Sequence, residues 1–369
     1  MVSHQQLAKS IVVQNNLNTP LEIIWYRPNL ATPRTPTNIS HHQPLTPPHP
    51  TPFYSNIYIS VCSPINRPVY HIISITMTIG RRLLDTTLDS ARESYHILKT
   101  RECENPGLSR QGLLALDYFF LDYRIRTKVK LNMSFYDAIT NKVADAHLEE
   151  LIRRWKKRDI STFSSETELL KAKFQVFQLY YGTVNQFRPT FAKWIYCTLK
   201  PTVGILDFSA GWGGRCMAAM ALGIPYIGID ANTSLRLPYE RMIKAYEPTA
   251  DVTMIFKPSE TVDFSKFKYD LVFTSPPYFM LERYANMPAY SGNAGFIEEF
   301  FRPVISKVWK HLMPGGKMAL NMPHEMYMSV RDLLPKVSRR IQMPIHHRQL
   351  TKDSTKGVAH ELVYVWQKI

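Results

Sequence analysis

The chain is poor in the features that would hold a protein in a membrane or build it around metal or disulfides. No uninterrupted apolar run approaches the roughly 20 residues that a bilayer-spanning helix needs. The N-terminus lacks the basic-then-apolar layout of a signal peptide. A soluble, intracellular protein with no membrane partner is therefore expected. The four cysteines, Cys62, Cys103, Cys197 and Cys216, show neither metal-ligand spacing nor a dense disulfide framework, so no metal site is read and a reducing compartment is expected. Internal repeats are absent. Acidic residues are outnumbered, with 45 Lys and Arg against 30 Asp and Glu and a formal net charge of +15. That balance favours a polyanionic partner such as nucleic acid. The excess is spread along the chain, so a merely solvated surface is the competing reading of the charge.

Residues 1–70 hold 11 of the 26 prolines around a His/Pro/Thr-rich centre, His41-His42-Gln43-Pro44 through Pro52. Such composition resists helix and sheet, and residues 1–76 read as a disordered leader, with Met77 a candidate start of the functional protein. Residues 77–185 read as helical. Leu113, Leu114, Leu116, Phe119 and Phe120 form one apolar stripe, and Ala146, Leu148, Leu151, Ile152 and Trp155 another. The second runs into Arg153, Arg154, Lys156, Lys157 and Arg158, a candidate phosphate contact or a solvated helix end.

From residue 186 onward strands and helices alternate. Val203–Phe208, Tyr226–Asp230, Thr253–Phe256, Leu271–Thr274 and Lys317–Met322 read as short apolar strands. Amphipathic segments 214–222, 296–312 and 325–337 lie between several of them. This order predicts a doubly wound parallel sheet. Ile345–Leu350 and Glu361–Trp366, joined by a polar loop, predict a terminal antiparallel hairpin.

Two segments carry the chemistry. Asp207-Phe208-Ser209-Ala210-Gly211-Trp212-Gly213-Gly214 closes the first strand and turns through glycines into a helix. Glycines there let the backbone approach a ligand and adopt positive φ, and helix N-terminal N–H groups face it. Asp230, ending the second strand beside Ala231, is placed to accept hydrogen bonds from both hydroxyls of a ribose. A nicotinamide dinucleotide site would need glycine at Cys216, so that alternative is weak. Glu260, after the third strand, is a candidate adenine-edge contact.

The second segment is Thr274-Ser275-Pro276-Pro277-Tyr278-Phe279. An exocyclic amino group is a poor nucleophile because its lone pair is delocalised into the base. Ser275 Oγ and the Pro276 carbonyl, aimed by two prolines of locked φ, offer acceptors that would localise that lone pair. Tyr278 would stack on a flipped-out base, with Phe279 as the opposite wall or a support for Tyr278, and Arg283 in a loop that either orders on substrate or is simply flexible. The two segments together point to a methyl-donor pocket, S-adenosylmethionine, beside a slot for a base.

Asp-Phe-Ser-Ala-Gly-Trp-Gly-Gly-Arg, Thr-Ser-Pro-Pro-Tyr-Phe and Leu-Met-Pro-Gly-Gly-Lys resemble the amino-methyltransferases of DNA, adenine-N6 or cytosine-N4. The glycine turn looks most like a subgroup met in bacteriophages and large DNA viruses. The resemblance covers residues 185–369. It implies a class I methyltransferase fold, a Rossmann-like α/β architecture with a doubly wound seven-stranded sheet and a C-terminal antiparallel hairpin, here preceded by the helical region. By position it places Asp207, Ser209, Gly211, Trp212 and Gly213 along the donor, Asp230 and Ala231 at its ribose, and Ser275, Pro276, Pro277 and Tyr278 at the base. Phe187 and Pro189 would wall the donor's methionine end. Ser at the head of the Pro-Pro-Tyr motif is commoner among cytosine-directed members. No insertion for a target-recognition domain is evident. Target reading then falls to the helical region, to a partner subunit or second copy of the chain, or is absent, and RNA joins DNA as a substrate class. An inactive nucleic-acid-binding subunit is the alternative from another class, against which the intact Ser-Pro-Pro-Tyr argues.

Overall fold

The computed structural model describes residues 78–278, 288–345 and 359–369, together with four strands within the first 77. It divides into two compact units, Met1–Met77 and Thr78–Ile369. In the first unit β1 (Ile11–Gln14) pairs antiparallel with β2 (Pro20–Ile23), and β3 (Asn56–Val61) with β4 (Val69–Ser74). These β-branched runs between the prolines favour strands, where the composition alone suggested no regular structure. The centre of that segment, His41 to Pro52, lies outside the described residues.

The second unit opens with α1 (Ile79–Leu84), α2 (Leu88–Thr100), α3 (Leu113–Arg124), α4 (Phe135–Thr140), α5 (Lys142–Leu151) and α6 (Glu166–Tyr180). Side chains of Thr78, Thr87, Ser134, Asn141 and Ser165 cap five of these helices by accepting from first-turn N–H groups. The buried stripe of α3 is Ala115, Leu116, Phe120 and Leu121, while Leu114 faces out. In α5 Leu148 and Leu151 are buried, but Ala146 and Trp155 are exposed. Trp155 falls in the π turn Ile152–Lys156 that follows α5, which rotates its side chain off the buried face, while within α5 the buried face runs through Ala144, Leu148 and Leu151 and leaves Ala146 outside it.

The helices lead through α7 (Pro189–Leu199) into β5 (Ile205–Asp207), α8 (Gly214–Leu222), β6 (Tyr226–Asp230), α9 (Arg236–Tyr246), β7 (Val252–Phe256) and β8 (Leu271–Thr274). Then come α10 (Gly292–Gly295), a π turn at Phe296–Phe301, α11 (Arg302–His311), β9 (Lys317–Asn321), α12 (His324–Met328), β10 (Arg339–Ile345) and β11 (Ala359–Gln367). One sheet forms in the order β10-β11-β9-β8-β5-β6-β7. Strands β5 to β9 run parallel, and β11 is antiparallel to both β9 and β10. This is the doubly wound seven-stranded sheet with a C-terminal antiparallel hairpin that the strand pattern predicts. Two details differ from expectation. The first hairpin strand lies at Arg339–Ile345, with residues 346–350 outside the described set, and the helix expected over 325–337 stops at Met328.

Strand alternation divides the core. Ile205, Tyr226, Leu271, Phe273 and Ala319 face α2, α3, α7, α8 and α9. Leu206, Ile229, Val272, Met318 and Leu320 face the other way, onto Phe296–Leu312 and Met326–Leu334. The helical segment is therefore part of the sheet's own core, through Leu116, Phe120, Tyr95 and Leu98. Cys103 and Cys197 are disulfide-bonded across 94 residues, with Cα atoms 6.0 Å apart, and Cys216 is buried and free. Among the described residues no helix is long and apolar enough to cross a membrane.

Candidate functional site

The strand order reverses between β5 and β8, and in such sheets the crevice beyond the strand C-termini at that point is the ligand site. A cavity of about 800 Å³ opens there, within the range of small-ligand pockets. Its floor is the glycine turn after β5. Gly213 has φ of +80°, a left-handed conformation. At Gly214 a Cβ would lie 2.1 Å from the Phe187 carbonyl oxygen, so a side chain there would push the 185–189 segment off the turn. Phe187 is thereby seated on the cavity wall, edge-on to Phe273 at 5.4 Å.

Asp207 does not line this cavity. Its carboxylate is wholly buried and accepts from Arg215 Nε at 2.6 Å, Arg215 Nη2 at 3.2 Å and the Tyr226 hydroxyl at 2.6 Å. Burial alone would lower the Arg215 guanidinium, but the Asp207 carboxylate against it holds it above its usual range. Arg215 Nη2 also donates to the Ser209 carbonyl. Asp207 therefore clasps the turn from below, and the donor-lining role expected of it is corrected. Pro189 and Gly213 likewise sit behind the wall, Pro189 opening α7 and Gly213 packing against Phe120.

Asp230 does face the cavity. One carboxylate oxygen accepts from Gly211 N at 2.7 Å and the other from Asn232 N at 2.8 Å. Burial pushes its carboxyl up to about 6, against the downward pull of those two N–H groups. Each oxygen keeps a lone pair for a vicinal diol. Ser259 Oγ donates to the Phe208 carbonyl at 2.5 Å and draws the loop after β7 over the turn. That brings in Glu260, whose carboxylate accepts from Tyr290 at 3.0 Å. Ser209, Trp212 and Ala231 complete this end.

At the other end Ser275, Pro276, Pro277 and Tyr278 leave β8 along the cavity wall. Thr274 pairs with Leu320 across β8 and β9, which sets Ser275 beside Asn321. The Ser275 and Tyr278 hydroxyls both point at Asn321 Oδ1, at 3.2 and 3.0 Å. Asn321 Nδ2 donates to the Leu362 carbonyl at 3.2 Å, which fixes the amide with its oxygen toward them. Tyr278 also lies 3.0 Å from Glu361 Oε2. Burial, then the Glu361 carboxylate, pushes the Tyr278 hydroxyl up, so it stays a proton donor. Asn321 and Glu361 escaped the sequence reading, although each is a polar residue at the cavity end of an apolar strand. Phe279 and Arg283 lie outside the described residues.

The basic cluster is largely spoken for. Arg153 pairs with Glu150 at 3.4 Å and Arg158 with Glu168 at 2.7 Å, and Lys156 donates to Gln175 at 2.5 Å. Arg154 and Lys157 form no ion pair among the described residues.

No protein-family model and no curated protein matches the chain. Among solved structures it is similar to TrmN from Thermus thermophilus, with 16% identity over 49% of each chain and a TM-score of 0.37. A SAM-dependent methyltransferase from Agrobacterium tumefaciens gives 16% identity over 51% of this chain and 64% of that one, TM-score 0.37. NSun6 from Pyrococcus horikoshii, solved with SFG, gives 15% identity over 53% and 55%, TM-score 0.35. The match thus spans about half the length of the Thermus protein.

Proposed function

We infer that the chain is an S-adenosylmethionine-dependent methyltransferase acting on the exocyclic amino group of a base in DNA, cytosine-N4 or adenine-N6. The observation that carries this reading is the pair of ends of one cavity. At one end a carboxylate with free lone pairs, Asp230, sits against the backbone N–H of Gly211. At the other, the Ser275 and Tyr278 hydroxyls gather on Asn321 Oδ1, with the Glu361 carboxylate a second acceptor for Tyr278.

The residues fit the donor. Asp230 would accept from its ribose hydroxyls, the glycine turn would let the backbone approach, and Glu260 would meet its adenine edge. Bound, S-adenosylmethionine supplies an electrophilic methyl on a sulfonium. With its hydroxyl proton on Asn321, Ser275 Oγ would present lone pairs to an amino N–H of the base. Together with the Pro276 carbonyl it draws both amino hydrogens and localises the nitrogen lone pair for in-line attack. The N–C bond forms as the C–S bond breaks, and the nitrogen then loses a proton to solvent. Tyr278, anchored through its hydroxyl, holds its ring as a platform for the base.

Mass spectrometry of nucleosides from DNA and RNA after incubation with labelled donor tests the reading. Labelled N4-methylcytosine or N6-methyladenine from DNA is expected. Label confined to RNA would move the substrate to RNA, and label in neither would overturn the activity.

A further inference from the structure

A second polar cluster in the same cavity joins three residues of the helical segment, which the resemblance to amino-methyltransferases does not reach, to Gln186 at its border. Asp117 on α3 pairs with Arg124 at 2.8 Å and accepts from Gln186 Nε2 at 3.0 Å. Arg110 stands exposed at the mouth and forms no ion pair among the described residues. All four line the cavity. The cluster adjoins the glycine turn. Leu116 and Phe120, flanking Asp117 on α3, rest against Gly214 and Gly213, and Gln186 precedes Phe187, whose carbonyl crosses Gly214. Within it Gln186 Oε1 and Arg124 Nε are buried without a partner. A buried polar atom left unpaired costs about 1–3 kcal/mol, a cost that a bound polar group offsets.

A carboxylate and guanidinium groups held together on one wall match a ligand carrying both charges. We propose that Asp117, Arg110 and Arg124 hold the amino-acid end of the methyl donor, the carboxylate side meeting its α-ammonium and the guanidinium side its α-carboxylate. A phosphate would find the cations but be repelled by Asp117, so a zwitterion fits this wall better than a nucleic-acid backbone does. The proposal rests on the donor reading above. It gives the helical segment a share of the donor site, so that helix and sheet must be folded together to bind it.

The test compares two probes by calorimetry on the full chain: S-adenosylhomocysteine, and 5′-methylthioadenosine, which keeps the adenosine and sulfur but lacks the amino-acid end. The wild type should prefer S-adenosylhomocysteine. Asp117→Asn and Arg110→Gln should each weaken that ligand by about ten- to a hundredfold, the loss of one charged hydrogen bond, and leave methylthioadenosine binding unchanged. Retained methylthioadenosine binding shows that a variant is folded. Should Asp117→Asn fail that check, Arg110→Gln decides, since no internal pair is lost. Equal wild-type affinity for both probes, or a wild-type ratio in the folded variants, would overturn the proposal. So would an unchanged ratio with weakened oligonucleotide binding by Arg110→Gln, which would assign Arg110 to phosphate. A wild type that binds neither probe would remove the donor reading itself.

Discussion

Ser275 and Asn321 are joined by a hydrogen bond of 3.2 Å from the serine hydroxyl to the amide oxygen. The direction matters more than the bond. Asn321 is 1% exposed and its amide is fixed by the Leu362 carbonyl, so the serine proton has a standing acceptor and its oxygen is left to receive. A strand residue thereby sets the polarity of the turn that follows β8.

Ser275→Ala should slow methyl transfer by about ten- to a thousandfold while sparing donor affinity, as loss of one preorganised contact does. Asn321→Ala should give a smaller loss of the same kind, because it frees the serine proton to point at the base. The double variant should cost little more than Ser275→Ala, since the two act as one unit. Single-turnover transfer of labelled methyl measures all three. Additive losses would show that Asn321 acts apart from Ser275.

Asp230 predicts a pH dependence. Its folded carboxyl is raised to about 6 by burial, above the roughly 3.9 of an unfolded Asp. Its contribution to stability is thus present below about 3.9 and lost as pH rises through about 6. Donor binding runs the opposite way, because ribose hydroxyls donate to the ionised carboxylate. Affinity for S-adenosylhomocysteine should rise as pH passes upward through about 6, and Asp230→Asn should flatten that rise. Calorimetry at several pH values checks it, and a pH-independent wild type would remove Asp230 from the ribose.

Asp207 should behave as a structural residue. Asp207→Ala leaves Arg215 buried without its counter-charge, and breaking a buried pair from one side costs about 3–5 kcal/mol. Denaturant unfolding should register that loss. Wild-type stability with weakened donor binding would restore the donor-lining role.

Arg154 and Lys157 form no ion pair among the described residues, in a cluster whose other members are engaged within the protein. If they meet phosphates, neutralising both should flatten the salt dependence of nucleic-acid binding by roughly one unit of slope for each lost contact. Charge-reversing Arg153 or Arg158 should instead disturb α5 and α6. An unchanged slope in the double alanine variant would make the cluster a solvated surface.

The sheet was legible because each parallel strand is a short apolar run closed by turn residues, and Tyr226–Asp230 and Leu271–Thr274 fall where the pattern puts them. The glycine turn and Ser-Pro-Pro-Tyr were legible because local backbone demands dictate their residues. What the sequence hid are roles decided by partners far along the chain. Asp207 reads like a ligand-facing carboxylate until Arg215 and Tyr226 close on it. Glu361 reaches the Tyr278 end of the cavity because β11 enters the sheet beside β9, 83 residues from Tyr278 in sequence. Asp117 hid inside an apolar stripe.

Tyr278 separates two roles that a single deletion would confuse. It lines the cavity, and its hydroxyl meets Asn321 and Glu361 at 3.0 Å each. Tyr278→Phe keeps the platform and removes the anchor, leaving the Glu361 carboxylate short of a donor. Tyr278→Ala removes both, and base stacking on an aromatic is worth about 1–3 kcal/mol. The alanine variant should therefore weaken nucleic-acid substrate handling by about five- to 150-fold, those energies converted at 1.4 kcal/mol per tenfold. The phenylalanine variant should keep most of the substrate affinity and lose turnover, through a looser ring. Donor affinity should be unchanged in both. Steady-state kinetics on a duplex substrate reads the split, in KM for alanine and in kcat for phenylalanine. Equal KM in wild type and alanine variant would show that the base does not rest on Tyr278.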